Sequence, residues 1–127
     1  MTAMTPIDLE QVFLALSADG RADALLGEHF GARLSKAPPD MAYLVGVYPF
    51  DADWPHWEMH PKGHEVLIFL EGRLELTIEA DGQRRAVEVG RGATLVIPPG
   101  AWHIARVLEP GRMIGVTFGE GTQHRPR

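Results

Sequence analysis

From Asp40 onward the chain is written in short apolar or alternating runs, each cut off by Gly, Pro or Asp. This spacing constrains the fold more than any other feature. The runs are Tyr43–Tyr48, Trp54–His60, Val66–Leu70, Leu74–Glu79, Ala86–Val89, Thr94–Ile97, His103–Leu108 and Met113–Phe118. About eight strands at such close intervals read as an all-β sandwich or barrel. Leu74, Leu76 and Ile78 alternate with Glu75, Thr77 and Glu79, which predicts one buried and one wet face. Val66–Leu70 is apolar on both sides and is expected to be covered on both. Asp81-Gly82 between two runs predicts a hairpin.

The N-terminal part follows a different grammar. Ile7, Val12, Leu14 and Leu16 lie among helix-forming residues, and Thr5-Pro6 precedes them, so a helix is expected over Ile7–Ala18. A second helical turn or a loop is expected at Asp23–Leu26, with Gly20, Gly27 and Gly31 as breaks and 36–40 as a rigid loop. The 127 residues fit one domain. Its expected parts are a helical extension and loop over 1–40, a barrel over 41–118 and a tail over 119–127. The tail is read as loose, with a fold-back over the barrel mouth as the alternative.

Six histidines carry the most chemistry: His29, His56, His60, His64, His103 and His124. Glu58 and His60 are two apart, so in an extended chain they share a side. Pro61-Lys62-Gly63 then turns the chain, and Glu65 opens the next strand. His103 follows the turn Pro98-Pro99-Gly100-Ala101. If the sheet closes, Glu58, His60, Glu65 and His103 can converge inside it. The chain has no cysteine, so any metal must be held by imidazole, carboxylate, carbonyl or water. Imidazole with carboxylate suits Fe(II), Mn(II), Ni(II), Zn(II) or Cu(II), and two neutral imidazoles with two carboxylates balance a divalent charge.

Two stretches resemble the paired motifs of the cupin family. The first motif, H-x-H-x(3,4)-E-x(6)-G, is matched by Glu58-x-His60-x4-Glu65-x6-Gly72. The second, G-x5-P-x-G-x2-H-x3-N, is matched by Gly92-x5-Pro98-x-Gly100-x2-His103-x3-Val107. The sequence departs from the pattern twice, with Glu58 in place of the first histidine and Val107 in place of the closing asparagine. The resemblance implies a double-stranded β-helix (a jelly-roll barrel) with a divalent metal ion held by His60, Glu65 and His103. Glu58 can complete the set as a carboxylate ligand. It also implies a small-molecule ligand or substrate, a homodimer, and either dioxygenase or isomerase chemistry. A non-catalytic metabolite binder or sensor, and a barrel that has lost its metal, are the other readings.

Net charge is −5 with a pI near 5.6, which argues against nucleic acid or an anionic membrane as partner. No apolar stretch approaches the roughly 20 residues of a membrane helix. No signal peptide is read at the N-terminus, and a cytoplasmic location is expected. His64 adjoins Glu65 and should face the opposite way; it is the alternative to Glu58 as ligand. His56 shares parity with Glu58 and can line the mouth, whereas His29 and His124 are expected in solvent. Trp54, Trp57 and Trp102 are candidates for a pocket wall. Arg106 and Arg112 are candidate partners of an anionic substrate, with solvation as their default. Tyr43–Tyr48 and the N-terminal region are candidates for the dimer contact.

Overall fold

The computed structural model describes residues 4–127. Nine strands and one short helix follow in order. They are β1 (Phe13–Ser17), β2 (Ala22–Leu25), α1 (Phe30–Leu34), β3 (Met41–Phe50), β4 (His56–Met59), β5 (Glu65–Ala80), β6 (Gln83–Gly90), β7 (Thr94–Ile97), β8 (Trp102–Thr117) and β9 (Gln123–Pro126). Every pairing is antiparallel.

The long strands β5 and β8 form the spine, paired from Glu65↔Thr117 to Glu79↔Trp102. The other edge of β5 takes β7 against Glu65–Ile68 and β6 against Arg73–Ala80. The other edge of β8 takes β3 at its C-terminal half and β4 at Glu58↔His103. β1 and β2 extend the sheet beyond β3, and β9 lies outside β4. The all-β expectation therefore holds, and the sheet curls on itself.

Each spine strand was expected as two runs. They are continuous because a local irregularity bends them without ending them. The register shifts repeatedly between Phe69 and Leu74, which is how bulges re-aim a strand. Gly72 sits there at φ +81°, and a Cβ on it would lie 2.7 Å from the carbonyl oxygens of Glu109 and Pro110. Only glycine fits both the left-handed backbone and the close approach of β8. Pro110, which has no N–H for the ladder, lies on the opposing side of this bend. The Asp81-Gly82 hairpin forms as expected, with both residues at positive φ, as a type I′ turn requires.

The predicted alternation is present. Leu74 and Leu76 are fully buried beside Leu67, Phe69, Ile97 and Met113 in the main core. Each such side chain contributes about 1.5–3 kcal/mol by leaving water. Leu67 and Phe69 fill the core, while Val66 and Ile68 on the other face are only half-buried, so this run is covered less evenly than expected.

The helix expected over Ile7–Ala18 does not form. Phe13, Ala15 and Ser17 are buried while Leu14 and Leu16 are half-buried, a period of two, and the segment is strand β1. Its ladder to β3 outweighs the helix preference of its residues. Asp23–Leu26 is likewise mostly strand β2 and not a helical turn. Among the described residues helix is confined to the five of α1, whose first turn is capped by the His29 side chain accepting from Ala32 N–H. The C-terminal segment contains strand β9 and is not loose throughout. Within β3, Leu44 and Val45 are paired on both edges, whereas Gly46–Tyr48 are laddered only to β8 among the described residues. Among the described residues no helix is long and apolar enough to cross a membrane.

Candidate metal centre

β4, the start of β5 and the start of β8 meet inside the curl, and they bring the four expected residues together. His103 is fully buried, His60 is 3% and Glu65 6% exposed, while Glu58 sits at the rim with its side chain 31% exposed. The ring centroids of His60 and His103 are 5.6 Å apart. One ligand atom each from Glu58, His60 and His103 lies within 4.8 Å of the other two. Glu65 is placed differently. It faces both imidazoles, with Oε2 3.1 Å from His60 Nε2 and Oε1 3.1 Å from His103 Nε2. Thr117, its partner across β5 and β8, donates its hydroxyl to Oε2 at 2.6 Å.

The hydrogen bonds on the far side of each ring assign the tautomers. His103 Nδ1 lies 3.1 Å from the Ala101 carbonyl, which can only accept, so Nδ1 carries a proton. His60 Nδ1 lies 2.8 Å from Thr122 Oγ1, and that hydroxyl donates its own proton to the Gly119 carbonyl at 2.8 Å. Thr122 therefore accepts from His60 Nδ1–H. In the neutral rings both Nε2 atoms then carry lone pairs, and both face Glu65 oxygens. Lone pair against carboxylate is repulsive unless a proton or a cation lies between them. His60 Nε2 is buried and has no hydrogen-bond partner, since Glu65 is near but poorly aligned. An orphaned imidazole nitrogen in such a donor set fits a divalent cation.

Electrostatics agree. Burial raises the Glu65 carboxyl, but the His103 and His60 imidazoles beside it outweigh burial and hold the group at about 2. Burial lowers His103, yet Glu65 and then the Ala101 carbonyl leave it raised overall. Burial pushes the Tyr48 phenol up, and the charges of Glu65 and Glu58 push it further.

A cavity of about 750 Å³ opens over the centre and includes Glu58, His60 and Glu65 in its wall. Trp54 lines it and packs edge-on against the His103 ring at 6.2 Å. Trp57 and Trp102 do not line it. They hold Arg125 between them, its guanidinium 4.6 and 4.7 Å from their ring centroids. His64 is exposed beside buried Glu65, and His56 is exposed at the start of β4. Arg106 pairs with Glu75 on the surface, and Arg112 with Glu10 and Glu71. His29 caps α1.

Three residues of this site escaped the sequence reading. His124 is exposed, as expected, but β9 also sets it opposite Glu58 and at the cavity wall. Thr122 orients His60, and Tyr48 joins the cavity wall from β3. Nothing local marks Thr122 or His124, because their roles depend on a four-residue strand with no apolar alternation.

A family model described as the cupin domain matches residues 44–119. No curated protein matches the chain. Among solved structures, Fe(II)-HppE with the alternative substrate (S)-1-HPP is similar at a TM-score of 0.51 and 18% identity, covering 61% of this chain and 43% of that one. Recombinant pro-11S globulin of pumpkin is similar at 0.57 and 16% identity, covering 67% and 23%. Protein NMB1881 from Neisseria meningitidis is similar at 0.50 and 19% identity, covering 61% and 76%. The matched region spans less than half of HppE, and at these identities the likeness is one of fold.

Proposed function

The chain belongs to the cupin family, and from there we propose that it is a metal-dependent enzyme acting on a small molecule. Glu58, His60, Glu65 and His103 are the ligands of one divalent ion in this reading. The observation that carries it is the pair of lone-pair-bearing Nε2 atoms that face Glu65 oxygens at 3.1 Å, one of them orphaned. The donor set suits Fe(II), Mn(II), Ni(II), Zn(II) or Cu(II). An HppE structure of similar fold contains Fe(II) together with a substrate.

When bound, the ion supplies Lewis acidity or, as iron, oxygen activation, and the reaction is of dioxygenase or isomerase type. The protein's own residues do the rest. Thr117 holds Glu65 and Thr122 holds His60 in fixed orientation. Trp54 packs edge-on against the His103 ring and covers that side of the centre. Tyr48 keeps its phenolic proton and serves as a donor to bound substrate.

Metal content by mass spectrometry tests the reading. About one ion per chain is expected, and its loss in the double variant His60→Ala/His103→Ala. Stoichiometric metal retained in that variant refutes the ligand assignment. Ligand binding without turnover in the loaded protein leaves a metabolite binder and refutes the enzyme. The homodimer belongs to the same proposal. Leu26, Phe30 and Val96 are each more than half exposed, and β7, which carries Val96, pairs only with β5 among the described residues. Light scattering that returns a monomer refutes it.

A further inference from the structure

We propose that the cavity over the metal centre selects an uncharged, largely apolar small molecule bearing a hydroxyl or carbonyl oxygen, and rejects organic anions. This rests on the metal-centre reading above and extends it to the class of ligand.

Three observations carry the inference. The cavity, about 750 Å³, is within the range of small-molecule sites, and Leu44, Phe50, Trp54, Leu67 and Met113 supply apolar wall. An apolar ligand there gains from leaving water.

The second observation is charge. No Lys or Arg lines the cavity among the described residues, whereas Glu58, Glu65 and Glu120 do. The neighbouring cations are turned to other work. Arg33 donates to the Gly27 carbonyl at 3.0 Å and lies over the Phe13 ring, and Lys62 pairs with Glu120 at 3.1 Å. A divalent ion held by two carboxylates and two neutral imidazoles makes a centre of zero net charge. An incoming anion would meet no uncompensated positive charge. Burying an unpaired charge in an apolar cavity is costly, and an uncharged ligand avoids that cost.

The third is the placement of polar donors. Tyr48 contributes a phenol O–H to an otherwise apolar stretch of wall, and His124 adds an imidazole at the side of β9. These serve an oxygen of the ligand and call for no charge on it.

The experiment uses three probes of one shape: 2-naphthamide, 2-naphthoate and 2-naphthylmethylammonium. Each is titrated calorimetrically into metal-loaded and metal-stripped full-length protein. The amide is expected to bind at least about tenfold more tightly than the carboxylate, although a carboxylate is ordinarily the better ligand of a divalent ion. Equal or tighter binding of the naphthoate, tighter binding of the ammonium probe, or binding of none of the three overturns the inference. The exposed variant Glu120→Lys, which adds a cation and frees Lys62, is expected to raise naphthoate affinity several-fold relative to that of the amide; no relative gain for naphthoate overturns the charge argument. Failure of the two readings looks different. A protein that takes up no metal yet prefers the amide refutes only the metal centre. One that takes up metal and prefers the carboxylate refutes only the ligand class.

Discussion

The hydroxyl of Thr122 accepts the Nδ1 proton of His60 at 2.8 Å, so a residue beside the last strand sets the tautomer of a histidine buried in the barrel. The hydroxyl can play that part because its own proton goes to the Gly119 carbonyl. β9, paired with β4 from His56↔Pro126 to Met59↔Gln123, holds Thr122 in place. Without this contact the lone pair of His60 has no preferred nitrogen.

Thr122→Val keeps the shape of the side chain and removes the acceptor. Metal affinity is expected to fall about 10–100-fold, the usual effect of losing the partner behind a ligating imidazole. Thr122→Ser should restore it. Competition with a chromophoric chelator measures both. Unchanged affinity in Thr122→Val would show that the tautomer is set elsewhere.

The metal-free protein should be most stable in a window of mildly acid pH. Glu65 is held at about 2 against an ordinary 4.5, so its contribution is complete above pH 4.5 and is lost as pH falls toward 2. His103 is raised above its ordinary 6.5, so its contribution is complete below pH 6.5 and is lost as pH rises through the raised value. Stability should therefore peak between about pH 4.5 and 6.5. The acid limb is worth at most about 3 kcal/mol, and the alkaline limb reports the same pair seen from the other partner. Urea titrations across pH check this. Bound metal should replace the proton between the rings and remove the alkaline limb, and Glu65→Gln should flatten the acid one.

Gly72 and Gly82 both lie at positive φ, yet they differ in what surrounds them. A Cβ at Gly82 meets nothing within 4 Å, whereas one at Gly72 meets two carbonyl oxygens of β8 at 2.7 Å. Gly82→Ala should cost about 1–2 kcal/mol, the strain of the left-handed backbone alone. Gly72→Ala should cost about 3 kcal/mol or more, because the two spine strands must also separate. Equal midpoints in urea for the two variants would contradict the close approach.

Arg125 stacks between Trp57 and Trp102 and pairs with Glu79 at 3.0 Å. It fastens β9 to the barrel. Arg125→Ala should destabilise the protein by about 1–2 kcal/mol and weaken metal binding through Thr122. Arg125→Lys should rescue little, since an ammonium cannot stack a planar face on two rings. Faster hydrogen exchange in β9, with the exchange of β5 unchanged, is the expected signature.

Much of the barrel was legible along the chain because its determinants are local. A half-buried strand needs period-two alternation, and 74–79 carries it. A type I′ turn needs two residues tolerant of positive φ, and Asp81-Gly82 supplies them. A metal centre needs donors of the right type at the ends of strands, and Glu58, His60, Glu65 and His103 stand at such ends. The N-terminal segment misled because Val12, Leu14 and Leu16 suit a helix as well as a strand, and pairing with β3 decided between them.

The amino-acid order by itself determined that the chain builds an all-β barrel and that four acidic and imidazole side chains belong to two neighbouring motifs. Tertiary structure alone decided that Glu65 lies between two imidazoles, that β9 returns His124 to the site with Thr122 beside the strand, and that among the described residues the cavity carries acid but no base of Lys or Arg type. The reason is physical. Periodicity and turn preference act over a few residues. The tautomer of His60 depends on a hydroxyl 62 positions away, brought there by a ladder that no local pattern encodes.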